Sequence, residues 1–319
     1  MLSRKLIIKY IVFFSICFVL FVAALFMGEK YNLSDERQLT IFLNLRLSRV
    51  ILGFLAGGIL ALAGLSFQTL FQNSLASPFT LGIASGASLG AAVVMKTGFI
   101  WIIPGISALM AGSFAGALLS VLFIYTIVNI KKSDRSYVLL LGGVAFNFFA
   151  SSIVLFLQYV GDLSVSFRLA RWTMGTLDSV DFIPVLRLIP FFLLIISVSL
   201  YYYRELDILV FGEELAAVRG VDVKSLEIKF FIIVSMAVGS VVSLCGPIAF
   251  VGLMVPHIVK QIFDIKHFSL SIACIIAGGS FLVFCDGLSR ILITGSQIPV
   301  GIITSFLGAP FFLFLLLKK

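Results

Sequence analysis

A broken apolar segment in the second half of the chain constrains the fold most. Residues Gly246-Pro247-Ile248-Ala249-Phe250-Val251-Gly252-Leu253-Met254-Val255-Pro256-His257 lie in a run, 230–259, that contains no Asp, Glu, Lys or Arg. Prolines and glycines interrupt helical hydrogen bonding. A broken backbone at membrane depth is tolerated only where protein or a water-filled path satisfies its polar groups. The segment therefore indicates a transport path in a membrane-embedded chain.

Long uncharged runs recur along all 319 residues, and the chain is 61% hydrophobic with a mean hydropathy of +1.17. No soluble globular domain needs that much apolar surface, whereas a helix that crosses a bilayer needs about 20 mostly apolar residues. Division of the runs at their breakers predicts an all-α, polytopic membrane protein with a single domain over residues 1–319. The ten predicted transmembrane helices lie near 11–27, 50–70, 80–95, 105–128, 137–160, 184–203, 229–245, 250–262, 268–288 and 299–317.

The net charge of +8 is explained by basic residues that flank apolar spans. No basic stretch is interleaved with aromatic residues, so no nucleic-acid partner is predicted. With ten helices both termini lie on one side, which then carries 14 of the 23 Lys and Arg residues and is predicted to be cytoplasmic. Met1–Lys9 and the apolar run after it could also pass for a signal peptide. That run is long and no cleavage site of small residues follows, so a first transmembrane helix is predicted.

Small residues are dense in two stretches that are predicted to be helical. They are Gly82, Gly86 and Gly90 at four-residue spacing, and before them Gly57, Gly58, Ala61, Ala63 and Gly64. Such faces let helix backbones approach closely in lipid. We expect them to serve helix packing rather than substrate contact.

The residues give no sign of a catalytic, nucleotide-binding or metal site. No glycine is followed directly by lysine, so there is no P-loop and the chain cannot be the ATPase of a pump. The two histidines, His257 and His267, have no second metal ligand at suitable spacing, and His257 is expected to cap a helix or hydrogen-bond. No nucleophile–base set supports an intramembrane enzyme. Four cysteines are expected to be small buried hydrophobes: Cys17, Cys245, Cys274 and Cys285.

Acidic residues are nearly absent from the predicted spans. Asp286 is the exception, and Arg290 follows four residues later, on the same side of a helix. A local ion pair near the membrane edge is predicted. A proton- or sodium-coupled carrier would need more intramembrane carboxylates than this. A stand-alone secondary carrier or channel stays the alternative from another class, and uptake without ATP would favour it.

The segment Gly212–Val221 is predicted to form a short helix bounded by glycines on the cytoplasmic side. Its first turn carries Glu213 and Glu214 and its last turn Arg219, which suits the helix dipole. The segment is too short to span a bilayer. A solvated amphipathic loop is one interpretation, and docking to a soluble partner is the other.

Six motifs in this order resemble the permease subunits of type II ABC importers, the FecCD-type family for ferric siderophores, haem and cobalamin. They are Leu45-Arg46-Leu47-Ser48-Arg49, Gln68-Thr69-Leu70-Phe71-Gln72-Asn73-Ser74-Leu75-Ala76-Ser77-Pro78, Leu81-Gly82-Ile83-Ala84-Ser85-Gly86-Ala87, Gly212–Val221, Gly246–Lys260, and Ile298-Pro299-Val300-Gly301-Ile302 leading to Gly308-Ala309-Pro310-Phe311-Phe312. The resemblance runs from about Arg46 to the C-terminus. Ser48, Ser74 and Lys260 stand where the family usually has Pro, Pro and Arg.

The resemblance implies a ten-helix permease in the bacterial cytoplasmic membrane that forms a homodimer, or a heterodimer with a paralogous permease. The path would run along the interface of the two subunits. Two cytoplasmic ATP-binding subunits would use ATP and Mg²⁺, and an extracytoplasmic binding protein would deliver the ligand. This chain would bind no cofactor itself. A ferric siderophore is the first expected substrate, and haem and cobalamin are alternatives.

The resemblance also assigns roles to individual residues. Coupling to the ATPase, within a cytoplasmic segment of about 204–229, is implied for Gly212, Glu213, Glu214, Ala216, Arg219 and Gly220. A cytoplasmic gate is implied for Asn73 and Leu75. Contact with acidic residues of the binding protein is implied for Arg46, Arg49 and Arg290, because arginine forms bidentate pairs with carboxylates.

Overall fold

A computed structural model describes residues 4–28, 42–99, 106–130, 135–178, 181–263, 266–293 and 297–317. The regular structure in these ranges is helical. A π-helical turn, Phe42–Leu47, runs directly into the second α-helix. The α-helices are α1 Arg4–Phe26, α2 Ser48–Leu70, α3 Ile83–Thr97, α4 Ala108–Ile130, α5 Arg135–Tyr159, α6 Leu163–Thr173, α7 Ile183–Tyr201, α8 Tyr203–Leu209, α9 Glu213–Val218, α10 Val223–Cys245, α11 Val251–Ile262, α12 His267–Ile291 and α13 Val300–Leu317.

The ten predicted transmembrane helices correspond to α1, α2, α3, α4, α5, α7, α10, α11, α12 and α13 in the described part of the chain. Seven of the described helices are long and apolar enough to cross a membrane, and α3, α11 and α13 are shorter apolar helices. The predicted fold class, an all-α membrane protein, is confirmed. Most bounds agree within a few residues, although α10 begins six residues before the predicted start.

Helix α2 lies at the centre of the bundle, where most of its side chains are buried. Its small residues allow two neighbouring backbones to approach it. A Cβ on Gly57 would lie 2.2 Å from the carbonyl oxygen of Gly278 on α12, and one on Gly64 only 1.7 Å from that of Gly252 on α11. The predicted packing role of these glycines is confirmed.

Helices α3 and α4 meet through a second set of glycines. A Cβ on Gly86 would lie 2.4 Å from the oxygen of Gly116, and one on Gly90 would lie 1.9 Å from that of Gly112. Gly82 does not share this face. It precedes α3 with a φ of 76°, in the left-handed region that favours glycine.

Two helices were not predicted from the sequence. The range 161–181 lies between two predicted spans, where no helix was predicted, but it contains α6, whose Leu169 is fully buried beside Ala92 and Val154. After α7 only the short helix Gly212–Val221 was predicted, but α8 precedes that helix, which is α9. Tertiary packing of a few apolar side chains outweighs the polar composition of both segments.

The outer surface of the bundle is rich in large apolar side chains. Phe148 and Phe156 of α5 are 72% and 62% exposed, and Phe306 of α13 is 77% exposed. A soluble protein rarely exposes contiguous apolar surface of this kind. Lipid or another membrane subunit is the environment that suits it.

Candidate translocation, gate and coupling sites

The broken segment separates α10 from α11. Gly246 and Phe250 both have positive φ, 71° and 67°. Helix α11 is 12 residues long, which at about 1.5 Å per residue puts the break about 18 Å from the far end of that helix, well inside a bilayer about 30 Å thick.

Protein groups satisfy the backbone at this break. The amide of Thr176, just after α6, donates to the carbonyl of Cys245 at 2.7 Å, and the amide of Gly246 donates to the carbonyl of Val242 at 2.8 Å. A Cβ on Gly246 would lie 2.3 Å from the carbonyl oxygen of Trp172. Broken backbone is tolerated at membrane depth only with partners of this kind.

A cavity of about 720 Å³ opens beside the break. Its walls come from α3, α5, α6, the broken segment and α13. Its polar lining consists of hydroxyls and one amide, and no charged side chain is among the described lining residues. The polar residues are Ser85, Ser88, Ser151, Gln158, Thr173 and Ser305, and the apolar ones include Phe79, Met174, Pro247 and Phe306.

Sequence reasoning missed this cavity. Serine is common in apolar helices, where it bonds back to its own backbone, as Ser88 does to Ala84 at 2.8 Å. The hydroxyls that line the cavity therefore look the same in the sequence as those buried between helices.

The predicted gate residues lie in the loop between α2 and α3. The Asn73 side-chain oxygen accepts from the amide of Leu75 at 2.9 Å, and its carbonyl accepts from Ala76 at 3.1 Å. Gln72, directly before them, has a φ of 47°, which is uncommon for a residue with a side chain. The loop is a compact turn held by its own hydrogen bonds.

A larger cavity, of about 1190 Å³, lies under this loop. Asn73 and Ser74 line it together with Gln68, Lys260 and His267. The Lys260 ammonium donates to the side-chain oxygen of Gln68 at 3.2 Å. His257, which was expected to form a hydrogen bond, lies 2.8 Å from the side-chain nitrogen of Gln261.

The predicted coupling residues form α9 and its two ends. Gly212 has a φ of 117° and Gly220 a φ of 84°, and a Cβ on either would meet nothing within 4 Å. Val221 closes the helix by donating to Ala216 at 3.0 Å. Ala216 is fully buried and anchors α9 to the bundle.

The rest of α9 faces outwards. Leu215 is 55% exposed and Val218 is 85% exposed. The first turn carries Glu213 and Glu214, at the positive end of the helix dipole. The helix therefore presents apolar and acidic side chains that have a fixed geometry.

The three predicted docking arginines come together where the C-terminal end of α12 meets the N-terminal end of α2. Arg49 donates from Nε to Asp286 Oδ1 at 2.9 Å and from Nη2 at 2.7 Å, and its Nη1 donates to Gln297 at 2.6 Å. Arg290 Nη2 lies 3.3 Å from Asp286 Oδ2, as the predicted ion pair requires, and also donates to the carbonyl of Ala24. Arg46 donates to the carbonyl of Met27.

This geometry changes the description of the arginines. Their side chains are not extended into solvent, because those of Arg49 and Arg290 are only 13% and 9% exposed and Arg46 is 6% exposed. The sequence indicated Arg290 as the partner of Asp286, but Arg49, 237 residues away, makes the shorter contacts. Asp286 joins α2 to α12 through these bonds.

We expect replacement of Asp286 with alanine to destabilise the protein by about 3–5 kcal/mol, because two largely buried guanidinium groups lose their shared carboxylate. Asp178→Ala is the matched control, since Asp178 is 45% exposed and 3.7 Å from Arg49; its expected cost is below about 1 kcal/mol. A thiol-reactive dye measures unfolding, because four free cysteines are buried: Cys17, Cys245, Cys274 and Cys285. Equal unfolding midpoints for the two variants would contradict the role given to Asp286.

Comparison with known proteins identifies the family of this chain. The profile of the FecCD transport family matches residues 7–318. The hemin transport system permease HmuU of Yersinia pestis is 33% identical, over 90% of this chain and 86% of its own. The cobalamin import permease BtuC of Halobacterium salinarum is 36% identical, over 85% and 72%.

A solved structure has the same architecture over nearly the whole length. It is described as an ABC transporter of the metal-chelate type in an inward-facing conformation, and it matches with a TM-score of 0.84 and 26% identity over 97% of this chain and 99% of its own. The family match covers far more than half of the sequence. This chain therefore belongs to the FecCD transport family and is a permease of the ABC importer type.

Proposed function

We propose that the chain is one of two permease subunits of an importer that moves an iron chelate, with a ferric siderophore as the first candidate, across the bacterial cytoplasmic membrane. Helix α9 is the observation that carries this proposal. It is an exposed, well-capped helix with apolar and acidic side chains, in a chain without a nucleotide-binding motif. Two cytoplasmic ATP-binding subunits bind it and hydrolyse ATP with Mg²⁺.

The two ends of α12 separate the arginines from α9, which supports the proposed sidedness. Asp286 and Arg290 lie near one end, while His267, at the other, contacts α8 next to α9. About 23 residues of helix separate the ends by about 35 Å, close to the thickness of a bilayer. We place α9 and both termini in the cytoplasm and the arginines outside, where a binding protein docks.

The docking role of Arg46, Arg49 and Arg290 needs an exchange of partners. A carboxylate of the binding protein would approach guanidinium groups that are already oriented by Asp286 and by backbone carbonyls. Preorganised arginines bind a carboxylate at lower entropic cost than flexible ones.

A second permease copy, or a paralogue, completes the path. The 720 Å³ cavity is bordered by Leu155 and Phe306, which are 64% and 77% exposed. The same faces of α5 and α13 carry further exposed apolar side chains, such as Phe148 and Phe156. An opposing subunit would cover these faces and convert the open cavity into a channel with two walls, closed below by Asn73 and Leu75.

The cavity lining supports a bulky ligand that is held weakly. Hydroxyls and apolar groups without a charged side chain give no strong site for a small bare ion. The hemin relative and the metal-chelate description of the solved structure favour an iron chelate. The cobalamin relative keeps cobalamin as the alternative.

We expect cells that lack this chain to lose at least about tenfold of their uptake of one labelled chelate, because uptake against a gradient requires the complete importer and coupling between sites typically changes an equilibrium about 5- to 150-fold. Cells with and without the chain are given ⁵⁵Fe-labelled ferric hydroxamate, ⁵⁵Fe-hemin or ⁵⁷Co-cobalamin, and complementation with the intact chain is the control. Loss of cobalamin uptake alone would contradict the iron assignment. Accumulation that continues after ATP depletion with an intact ion gradient would contradict the ABC mechanism.

A further inference from the structure

A polar chain joins α8 to the end of α2. Asp207 Oδ1 on α8 lies 2.9 Å from His267 Nδ1, and His267 Nε2 lies 2.7 Å from the hydroxyl of Thr69 on α2. The same Asp207 oxygen accepts from the backbone amide of His267 at 2.7 Å. His267 and Thr69 are each 3% exposed, so the contact between them is largely shielded from solvent, while Asp207 is 27% exposed.

Each group in this chain has a geometric reason. His267 is the first residue of α12, whose amide has no partner within the helix, and Asp207 supplies one. Both ring nitrogens of His267 are used, so the ring cannot rotate without breaking a contact. The Thr69 hydroxyl also lies 3.0 Å from the carbonyl oxygen of Leu65 in its own helix, which is within hydrogen-bond distance. The hydroxyl is therefore held between α2 and α12.

A second contact joins α8 to the gate loop directly. The Gln72 side-chain nitrogen donates to the carbonyl of Leu209, the last residue of α8, at 3.3 Å. Gln72 is also the residue with a φ of 47°. Backbone in this region costs energy for a residue with a Cβ and persists where surrounding contacts hold it. The hydrogen bond from Gln72 to Leu209 is one contact that can hold Gln72 in this backbone conformation.

We infer that α8 is the element that positions the gate, through Asp207, His267, Thr69 and Gln72. The inference rests on the proposed coupling role of α9 and gate role of Asn73. Helix α8 is suited to this task because Leu206 and Leu209 are buried, so it packs with α2 and α12 while only three residues separate it from α9. Thr69 and Gln72 lie four and one residues before Asn73.

The consequence is a defined route for movement. A displacement of α9 by the ATPase would pull α8, and α8 would act on both the base of the gate loop, at Thr69, and its strained residue, Gln72. Packed elements with a few polar links change between discrete arrangements rather than deform continuously. Loss of a link should therefore separate ATP hydrolysis from gate opening without a loss of assembly.

Thr69→Val tests this inference, since valine has nearly the shape of threonine and removes only the hydroxyl. Thr69→Ser keeps the hydroxyl. Thr126→Val is the matched control, because Thr126 on α4 makes the same bond to its own helix, to Leu122 at 2.7 Å, and has no hydrogen bond to a second element among the described residues. The complete importer, with its ATPase and binding protein, is reconstituted in vesicles, and ATP hydrolysis and uptake of whichever labelled chelate the cell assay identifies are measured together.

The ATP hydrolysed per chelate transported should rise at least about fivefold in Thr69→Val, the lower limit of typical coupling effects, and stay within about twofold of the wild type in Thr69→Ser and Thr126→Val. Gln72→Gly removes the second link at an exposed position, and glycine accepts its φ. The same rise in ATP hydrolysed per chelate is expected for Gln72→Gly, so this variant tests the inference if Thr69→Val does not assemble.

The inference would be overturned if assembled Thr69→Val and Gln72→Gly importers hydrolysed the same amount of ATP per chelate transported as the wild type. It would also be overturned if this amount rose equally in Thr69→Ser and Thr69→Val. The proposed function would be unaffected if a variant of α9 still separated hydrolysis from uptake. If the variant of α9, Thr69→Val and Gln72→Gly all transport normally, the proposed coupling role of both α8 and α9 is wrong.

Discussion

Replacement of Gly64 with valine should leave almost no correctly folded protein. A Cβ at this position would lie 1.7 Å from the carbonyl oxygen of Gly252, and 2.5 Å from its carbonyl carbon. These are backbone atoms of α11, so no side chain can rotate away to relieve the clash. Overpacking that can be absorbed by side chains already costs about 1–3 kcal/mol, and here the two helices must separate.

The separation would affect more than one contact. Gly252 is the second residue of α11, and its position also fixes Pro247 and Ala249, which line the cavity. A shift of α11 would open the dry interface with α2, where membrane helices depend on close van der Waals packing instead of a hydrophobic driving force. We therefore expect misfolding rather than a small loss of activity.

The matched control is Gly142→Val on α5, because a Cβ there would meet nothing within 4 Å. Valine is slightly less favourable than alanine in a helix and more favourable than glycine, so this variant should fold normally. The fraction of monodisperse protein after detergent extraction and the midpoint of thermal unfolding measure the difference. Similar values for the two variants would show that α2 and α11 are not packed as described.

Much of this architecture was readable from the sequence for one physical reason. A bilayer requires helices of about 20 apolar residues, so the lengths of the apolar runs, together with the breakers that divide them, indicated where each of the ten helices lies. The glycine at position 64 was readable as a packing residue, but its partner, Gly252, was not. A small residue predicts that another backbone approaches closely, but it does not identify the helix to which that backbone belongs.

Long-range polar pairing could not be predicted in the same way. Asp286 was paired with Arg290 because helical spacing brings them together, while Arg49 lies 237 residues away and no spacing rule applies. The link from Asp207 to His267 and Thr69 was missed for the same reason. Helix α8 was missed as well, because seven residues that contain Arg204, Glu205 and Asp207 resemble a charged connection until Leu206 and Leu209 are seen to be buried.

The roles of the sites depended on the resemblance rather than on chemistry in the residues. Asn73 forms an ordinary turn and Leu75 is an ordinary apolar residue. Nothing in their chemistry distinguishes a gate from a loop. The geometry adds what surrounds them, a strained neighbour and a connection to α8, and these features give the proposed gate role a mechanism that can be tested.

Gly220→Val should reduce uptake by at least about tenfold, within the range typical of coupling between sites, while the importer still assembles and hydrolyses ATP. Gly220 has a φ of 84°, a conformation that costs a residue with a Cβ about 1–2 kcal/mol and a β-branched residue more. The six-residue helix before it is too short to be stable without its end contacts. The strain should therefore distort α9 and leave the rest of the bundle intact.

Gly98→Val provides the control for this prediction. Gly98 ends α3 with a φ of 64°, and a Cβ there would meet nothing within 4 Å, as at Gly220. The same substitution thus imposes the same kind of strain, but on a helix outside the proposed coupling segment 204–229. We expect uptake within about twofold of the wild type, because strain at an open helix end costs little beyond its own residue.

The pair of variants separates coupling from general damage to the fold. If α9 transmits the movement of the ATPase, only Gly220→Val raises the ATP hydrolysed per chelate transported, and its unfolding midpoint stays close to that of Gly98→Val. Glu213→Lys should give the same result without backbone strain, because it removes an exposed acidic contact and opposes the helix dipole. Normal uptake in both Gly220→Val and Glu213→Lys would mean that the ATPase acts on another part of the chain.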